Sequence, residues 1–245
     1  MAKQNKRKIN IFALIIIILI VYLVLSFCYY IATLPIKNIY IYGNNYVKDV
    51  EIIETAGIKN YPSLIKISRH KVKKKLLKNE YIDSVKVKKH ITGSIEITIK
   101  ESKPVFYNRN TGKIVLLNKK EVDDNLNMKL PILVNMVPQD LYESLIESFT
   151  KVDYSILMQI SEIEYTPDII NDKVIDEERF LLRMIDGNSV YINPVNIKRL
   201  NNYFEVYDRL PDNVKGTLYF DSNSDNNMFK MYGAKEASEV VANEE

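Results

Sequence analysis

Two serines that lie among lysines, Ser63 and Ser68, are the residues of this sequence that could carry out hydrolysis. A neighbouring base can activate a serine nucleophile, and a Ser-Lys hydrolase of the signal-peptidase type suits a chain with one N-terminal anchor. The serine expected just after the apolar N-terminal stretch, in a Ser-Met-x-Pro-like context, is missing. A membrane-anchored Ser-Lys hydrolase is therefore kept as the alternative function, below a non-enzymatic one.

The other residues that could do chemistry are two histidines, two carboxylates and one thiol. His70 and His90 have no cysteine nearby and no carboxylate at ligand spacing, so we expect exposed histidines rather than a zinc site. Glu162 and Glu164 alternate on a predicted strand, which is common on a solvated sheet face and only a weak indication of a glycosidase. Cys28 is the only cysteine and lies in or beside the apolar stretch, which excludes a cysteine nucleophile elsewhere. We therefore expect no catalytic residue, no metal and no cofactor.

A membrane-spanning helix is the first element that the sequence predicts. Residues 11–31 carry no charge, proline or glycine, and at about 1.5 Å per residue they cover roughly 31 Å, which is one hydrocarbon core. The first ten residues hold four basic residues and no acidic one, which predicts a cytoplasmic basic tail and an extracytoplasmic position for residues 34–245. We expect an uncleaved anchor in the cell membrane, because the stretch is too long for a signal peptide and lacks a small-x-small cleavage site.

Hydrophobic periodicity divides the rest of the chain into two domains, and the predicted fold class is α+β. Residues 34–103 are predicted to follow the order β-α-α-β-β, with Gly57 ending the first helix and Ser68 capping the second. Thr92-Gly93 is predicted to turn the final hairpin of this domain.

The second predicted domain covers residues 104–232 and contains a mixed α/β structure with a mainly antiparallel sheet. Its last helix is predicted at residues 195–208, and the residues expected to face the core are Ile197, Leu200, Phe204 and Tyr207. Residues 233–245 are acidic, lack an apolar stripe and are predicted to be a disordered tail.

Basic residues concentrate between positions 69 and 89, which hold nine of them against two acidic residues. The net charge of the whole chain is +3, which is too small to indicate nucleic-acid binding. A solvated surface accounts for this basic segment, and attraction to anionic lipid or wall polymer near the membrane is the alternative.

The predicted last strand is the candidate surface for protein contact. A strand at a sheet edge has unpaired N–H and C=O groups, and a partner chain can satisfy them by adding a strand. Tyr219 and Phe220 point to opposite faces of such a strand. Either one of them is available to a partner as an aromatic contact or both are buried, and the sequence leaves both options open. The predicted partner-binding residues are Thr217, Leu218, Tyr219, Phe220, Asp221 and Ser222.

Several stretches of the chain resemble a known family. Residues 35–44 (PIKNIYIYGN), 79–89 (NEYIDSVKVKK) and 95–105 (IEITIKESKPV) resemble the polypeptide-transport-associated (POTRA) domain of the FtsQ/DivIB bacterial division proteins. Residues 215–221 (KGTLYFD) resemble the β domain of that family. Thr92-Gly93 stands where the family usually has Pro-Gly.

The resemblance implies a non-enzymatic divisome scaffold at the division septum, which binds FtsL-like and DivIC/FtsB-like proteins. In the family, the POTRA domain and the span help localisation, and the last strand of the β domain recruits the DivIC/FtsB-like partner. Carried over, the contact strand is Thr217–Ser222. The tyrosine that the family has on this strand corresponds to Tyr219 or to Phe220.

Overall fold

The computed structural model of this chain describes residues 11–124, 128–209, 214–221, 227–233 and 240–242, and for residues 32, 227 and 240–242 it describes only the backbone. The chain forms two compact units, Met1–Glu101 and Ser102–Glu245. The predicted basic tail at residues 1–10 lies outside the described residues.

The predicted apolar helix is confirmed as α1 (Ile11–Thr33). It has no charged residue, and its span Ile11–Ile31 is long and apolar enough to cross a membrane, with none of that surface buried inside the protein. The hydroxyl of Thr33 donates to the carbonyl oxygens of Tyr29 and Tyr30, at 3.2 and 2.9 Å, and so satisfies acceptors at the end of the helix.

The β-α-α-β-β order predicted for residues 34–103 is confirmed. Its elements are β1 (Asn38–Tyr42), α2 (Asp49–Ala56), α3 (Arg69–Leu76), β2 (Ile82–His90) and β3 (Ser94–Glu101). The sheet order is β1-β3-β2, with β1 parallel and β2 antiparallel to β3. Apolar residues of α2, α3 and the sheet form one core, whose most buried members include Ile52, Leu76, Ile95 and Ile97.

Local signals placed the helix ends correctly. Gly57 ends α2 in the left-handed conformation at φ 74°, which costs glycine little because it has no Cβ. The Ser68 side chain accepts a hydrogen bond from the N–H of Lys71 at the start of α3.

The second unit contains the larger sheet. Its strands are β4 (Pro104–Asn108), β5 (Lys113–Leu116), β6 (Glu121–Asp123), β7 (Ile132–Leu133), β8 (Ile160–Tyr165), β9 (Asp168–Ile170), β10 (Lys173–Asp176), β11 (Phe180–Met184), β12 (Ser189–Ile192), β13 (Gly216–Tyr219), β14 (Asn227–Met231) and β15 (Val240–Ala242). Its helices are α4 (Gln139–Ser148), α5 (Tyr154–Leu157), α6 (Tyr203–Asp208) and two 3-10 helices, Phe149–Lys151 and Ile197–Asn202.

Ten of these strands form one sheet in the order β15-β14-β13-β12-β11-β8-β7-β4-β5-β6. Neighbours are antiparallel except in the pairs β12–β13, β4–β7 and β7–β8, so the predicted mainly antiparallel sheet is confirmed. β9 and β10 form a separate hairpin, and Phe106, Phe149, Phe180 and Phe220 lie in the core of this unit.

The helix predicted at residues 195–208 is wrong in its first half, which is a 3-10 helix that continues into α6. A 3-10 helix has three residues per turn, so side chains three positions apart face the same side. The residues facing the core are therefore Ile197, Leu200, Tyr203 and Val206, while Phe204 is exposed instead of buried.

The C-terminal region also differs from its prediction. Residues 240–242 form β15 against β14, so the prediction of a disordered tail at residues 233–245 is wrong for these three residues. Residues 234–239 and 243–245 of that predicted tail lie outside the described residues.

Candidate protein-interaction site

The predicted contact strand lies inside the sheet, and the prediction that it forms a free edge is wrong. Thr217 and its neighbours in β13 pair in parallel with β12 on one side. On the other side they pair antiparallel with β14, in the register Thr217↔Lys230, Leu218↔Phe229 and Tyr219↔Met228. Strand addition at β13 is excluded in this fold, because both of its edges are already paired with strands of the same chain.

The strand β14, which comes after β13 along the chain, is the reason for this difference. The sequence analysis predicts no further strand after Asp221, but the chain returns as β14. Phe229 of β14 is buried and Met231 packs against the same core, so this strand belongs to the domain. A polar loop followed by the alternating segment Met-Phe-Lys-Met (228–231) is the sequence signal that could have predicted β14.

Tyr219 and Phe220 lie on opposite faces, and the open question of which one is accessible is resolved. Neither Phe220 nor Leu218 has exposed surface, and the N–H of Phe220 donates to the carbonyl oxygen of Tyr191 at 2.8 Å. Tyr219 is half-buried on the other face, where burial raises the pKa of its phenol. Its ring centroid lies 5.3 Å from that of Tyr191. On the face of the sheet where Tyr219 lies, the aromatic surface that β13 offers therefore consists of Tyr219 and its neighbour Tyr191.

Arg179 and Asp221 border this aromatic pair. The Arg179 guanidinium lies 4.5 Å from the centre of the Tyr191 ring, 2.9 Å from the Asp168 carboxylate and 4.0 Å from that of Asp221. Burial raises the pKa of the Asp221 carboxyl, and the charge of Arg179 opposes that shift. Asp221 thus belongs to a charged cluster that fixes the end of β13, while Ser222 lies outside the described residues.

Asn188 and Gly216 hold β13 in place. Asn188 is 1% exposed, and its side-chain oxygen accepts a hydrogen bond from the N–H of Gly216 at 3.0 Å. Its side-chain amide donates to Asp186 and to the hydroxyl of Tyr203, so the β11–β12 turn, α6 and β13 share one polar network. Gly216 lies against β14, where a Cβ would collide with the carbonyl oxygen of Lys230 and lie 2.7 Å from the Phe229 ring.

The outer edge of β14 carries peptide groups at Met231 that pair with no strand among the described residues. The N–H of Tyr232 donates to the carbonyl oxygen of Lys215, and hydrogen-bonded pairs alternate in an antiparallel ladder. The peptide groups of Phe229 and Met231 therefore point away from β13. β15 pairs with Asn227, Met228 and Phe229 only, so in the part of the chain that the structure describes no strand pairs with Met231 on that side.

The serines and glutamates considered for catalysis are buried, cap a helix or form ion pairs. Ser63 is buried, and Ser68 caps α3. Glu162 and Glu164 both pair with Arg183, at 3.3 and 3.2 Å, on one face of the sheet.

The two histidines also lie apart from any candidate metal site. His90 Nε2 lies 3.4 Å from the Glu96 carboxylate, and His70 is exposed. Among the described residues, no cluster of His, Cys, Asp and Glu could hold a metal ion.

Comparison with known proteins gives one family. The model of the POTRA domain, FtsQ-type, matches residues 34–102. The cell division protein DivIB of Bacillus anthracis is 30% identical over 208 residues, covering 82% of this chain and 77% of that protein. DivIB of Bacillus cytotoxicus is 32% identical over 194 residues, covering 77% of this chain and 74% of that protein.

The likeness to a solved structure is weaker. The major extracytoplasmic domain of DivIB from Geobacillus stearothermophilus shares 19% sequence identity and superposes with a TM-score of 0.33, covering 44% of this chain and 89% of that one. The family assignment therefore rests on the sequence matches.

Proposed function

Because this chain belongs to the FtsQ/DivIB family of bacterial cell-division proteins, we propose that it is a non-enzymatic adaptor of the division machinery that binds FtsL-like and DivIC/FtsB-like proteins. It is a membrane-anchored division protein, as its apolar helix and its relatives indicate. On the basis of the positive flank, we place the basic N-terminus in the cytoplasm and the POTRA and β domains outside the cell. A position at the septum is proposed from the division proteins that this chain resembles.

Among the residues that the structure describes, no strand pairs with the outward peptide groups of Met231, and this observation supports a binding site on β14. A partner strand could pair along this edge, beyond β15 or in its place, since within the described residues β15 pairs with three of the five residues of β14. The Tyr191–Tyr219 pair lies on the face of the same sheet, with Tyr219 opposite Met228 of β14, and offers aromatic contact area to the same partner. This assignment replaces Thr217–Ser222 as the contact strand.

The test is co-purification of the membrane protein with its FtsL-like and DivIC-like partners after Met231→Pro. Proline removes the outward N–H of this residue while leaving the ladder between β13 and β14 intact, so we expect loss of partner capture. Asp123→Pro is the matched control, because Asp123 lies on β6 at the opposite edge of the sheet. The Leu116–Lys120 hydrogen bond sets a register in which the N–H of Asp123 points away from β5.

Removal of residues 234–245 tests whether β15 is part of the site or a cover over it. We expect capture to be kept or strengthened, because the edge of β14 becomes fully accessible. Normal capture by the Met231→Pro variant would move the site away from β14, and loss of capture after the truncation would show that residues 234–245 are part of the site. Both variants are first checked for an unchanged thermal unfolding transition.

The basic segment at residues 69–89 remains a proposed contact with anionic lipid or wall polymer. On α3 its residues Arg69, Lys71, Lys73 and Lys74 are exposed, which is the arrangement that such a contact requires.

A further inference from the structure

Ile65 and Ile91 are exposed apolar side chains that partner binding at β14 does not explain. Ile91 has 104% of its reference area accessible, and Ile65 has 65%. Ile65 lies in the segment Tyr61–Lys66 between α2 and α3, and Ile91 lies in the turn His90–Gly93 between β2 and β3. These two segments are called the anchor-side tips below. Two large apolar side chains in neighbouring turns indicate a surface that something covers.

The anchor-side tips are bonded to Pro35, Ile36 and Lys37, the residues that follow α1. Three contacts make this connection: a β-bridge between Pro35 and Ser63, a hydrogen bond from the N–H of Ile36 to the oxygen of Pro62 at 3.2 Å, and one from the N–H of Lys37 to the oxygen of Gly93 at 2.7 Å. Only Leu34 and Pro35 separate α1 from Ile36, which is buried in the POTRA core. Three residues of chain span at most about 10 Å, so the tips lie at the height of the membrane surface.

A groove of about 430 Å³ separates the end of α1 from both tips. Its apolar walls come from Ile31, Leu34, Leu64, Ile65 and Ile91. One wall therefore belongs to the helix that spans the bilayer, and Tyr29 and Tyr30 on that helix are residues typical of the membrane interface. The groove therefore lies at the point where α1 passes into the POTRA domain.

The charge around the tips matches an anionic lipid surface. Residues 59–71 and 86–95 contain no Asp or Glu, and Lys37, Lys66 and Arg69 are exposed there. The ammonium group of Lys89 is used internally, because it donates to the carbonyl oxygens of Leu64 and Ile67 at 2.7 Å each and fixes the shape of the first tip. Glu96 on β3 pairs with Lys88 and His90.

We propose that the anchor-side tips dock onto the lipid leaflet from which α1 emerges. Ile65 and Ile91 enter the headgroup region, and Lys37, Lys66 and Arg69 contact anionic phospholipid headgroups. The POTRA domain then rests on the bilayer with a fixed orientation instead of turning freely on its anchor. This inference rests on the membrane anchoring that is part of the proposed function, and it does not depend on the partner site at β14.

The absence of tryptophan from the chain allows a direct test, since one introduced tryptophan reports on one position. Ile91→Trp and Ile65→Trp place the reporter on the two tips. Val50→Trp is the matched control, because Val50 is 64% exposed in the same domain and lies at the start of α2. β1 begins at Asn38, which pairs with Ser94 beside the tips, and it ends at Tyr42. The start of α2 follows that far end of β1, so Val50 lies at the end of the domain opposite the tips.

The full chain is reconstituted in vesicles of phosphatidylcholine and phosphatidylglycerol with brominated acyl chains. We expect the emission of the I91W and I65W variants to shift to shorter wavelength and to be strongly quenched, and that of V50W to resemble tryptophan in water. Equal emission and equal quenching at all three positions would overturn the docking.

The contribution of charge is tested by omitting phosphatidylglycerol, by raising the salt concentration and by the K37E/K66E double variant. Each change should reduce quenching of I91W, because exposed charge contacts with lipid are screened by salt. Quenching that none of these changes alters would overturn the anionic-lipid contact. Partner capture in detergent reports on the site at β14 separately, so failure of either proposal is recognised without the other.

Discussion

Glu101 illustrates a residue whose role the sequence could not predict. Its carboxylate accepts hydrogen bonds from the N–H groups of Asn45, Tyr46 and Val47, at 2.7, 2.8 and 2.9 Å, and so holds the turn before α2 against the end of β3. Gly57 and Ser68, by contrast, were predicted correctly, because their partners lie within a few residues. Glu101 lies 54 to 56 residues from its donors, and no local pattern records that contact.

Glu101→Ala should lower the free energy of unfolding of the POTRA domain by about 2 kcal/mol, because three N–H groups lose a charged acceptor and two of them are partly buried. Glu54→Ala is the control, since Glu54 pairs with Lys59 at the surface and should contribute below about 0.5 kcal/mol. Denaturant unfolding of the two variants measures the difference. Equal stability would contradict the role assigned to Glu101.

At the scale of elements, periodicity predicted which segments become helices and strands but not which strands are neighbours. The helix α1 and the order of the POTRA domain follow from patterns of charge and alternation within single segments. β13 was recognised as a strand, yet its place between β12 and β14 depends on a segment that comes after it. The predicted contact strand therefore lacks the free edge that was expected of it.

Gly216→Ala should force β13 and β14 apart, because the added methyl group would collide with the backbone of Lys230. We expect a loss of about 2 kcal/mol in the free energy of unfolding of the second unit, together with weaker partner capture. Thr217→Ala, at the next and half-buried position of β13, should change stability by less than about 0.5 kcal/mol. Hydrogen exchange at the amides of β13 and β14 reports the separation, and unchanged protection would contradict it.

For the whole molecule, two separate hydrophobic cores predict two separate unfolding events. One core includes Ile52 in the POTRA domain and the other includes Ile163 in the second unit, and neither residue has exposed surface. Length alone allowed one large or two small domains, because about two hundred residues follow the anchor, and the hydrophobic periodicity divided them into two.

Ile52→Ala should lower the stability of the POTRA domain by about 3 kcal/mol and leave that of the second unit unchanged, while Ile163→Ala should do the reverse. Hydrogen exchange followed by mass spectrometry distinguishes the two units in the same sample, with β3 reporting on one and β8 on the other. Simultaneous loss of protection in both units after either substitution would show that they unfold together.

The order of strands in the ten-stranded sheet has a consequence for distance. The chain enters this unit on β4, and β14 lies six strand positions away along the sheet. At about 4.8 Å per position, that is roughly 29 Å. Under the proposed function, a protein bound at β14 is therefore separated from the entry strand β4 by roughly 29 Å measured along the sheet. An adaptor with this geometry determines how far apart two components of an assembly stand, in addition to whether they meet.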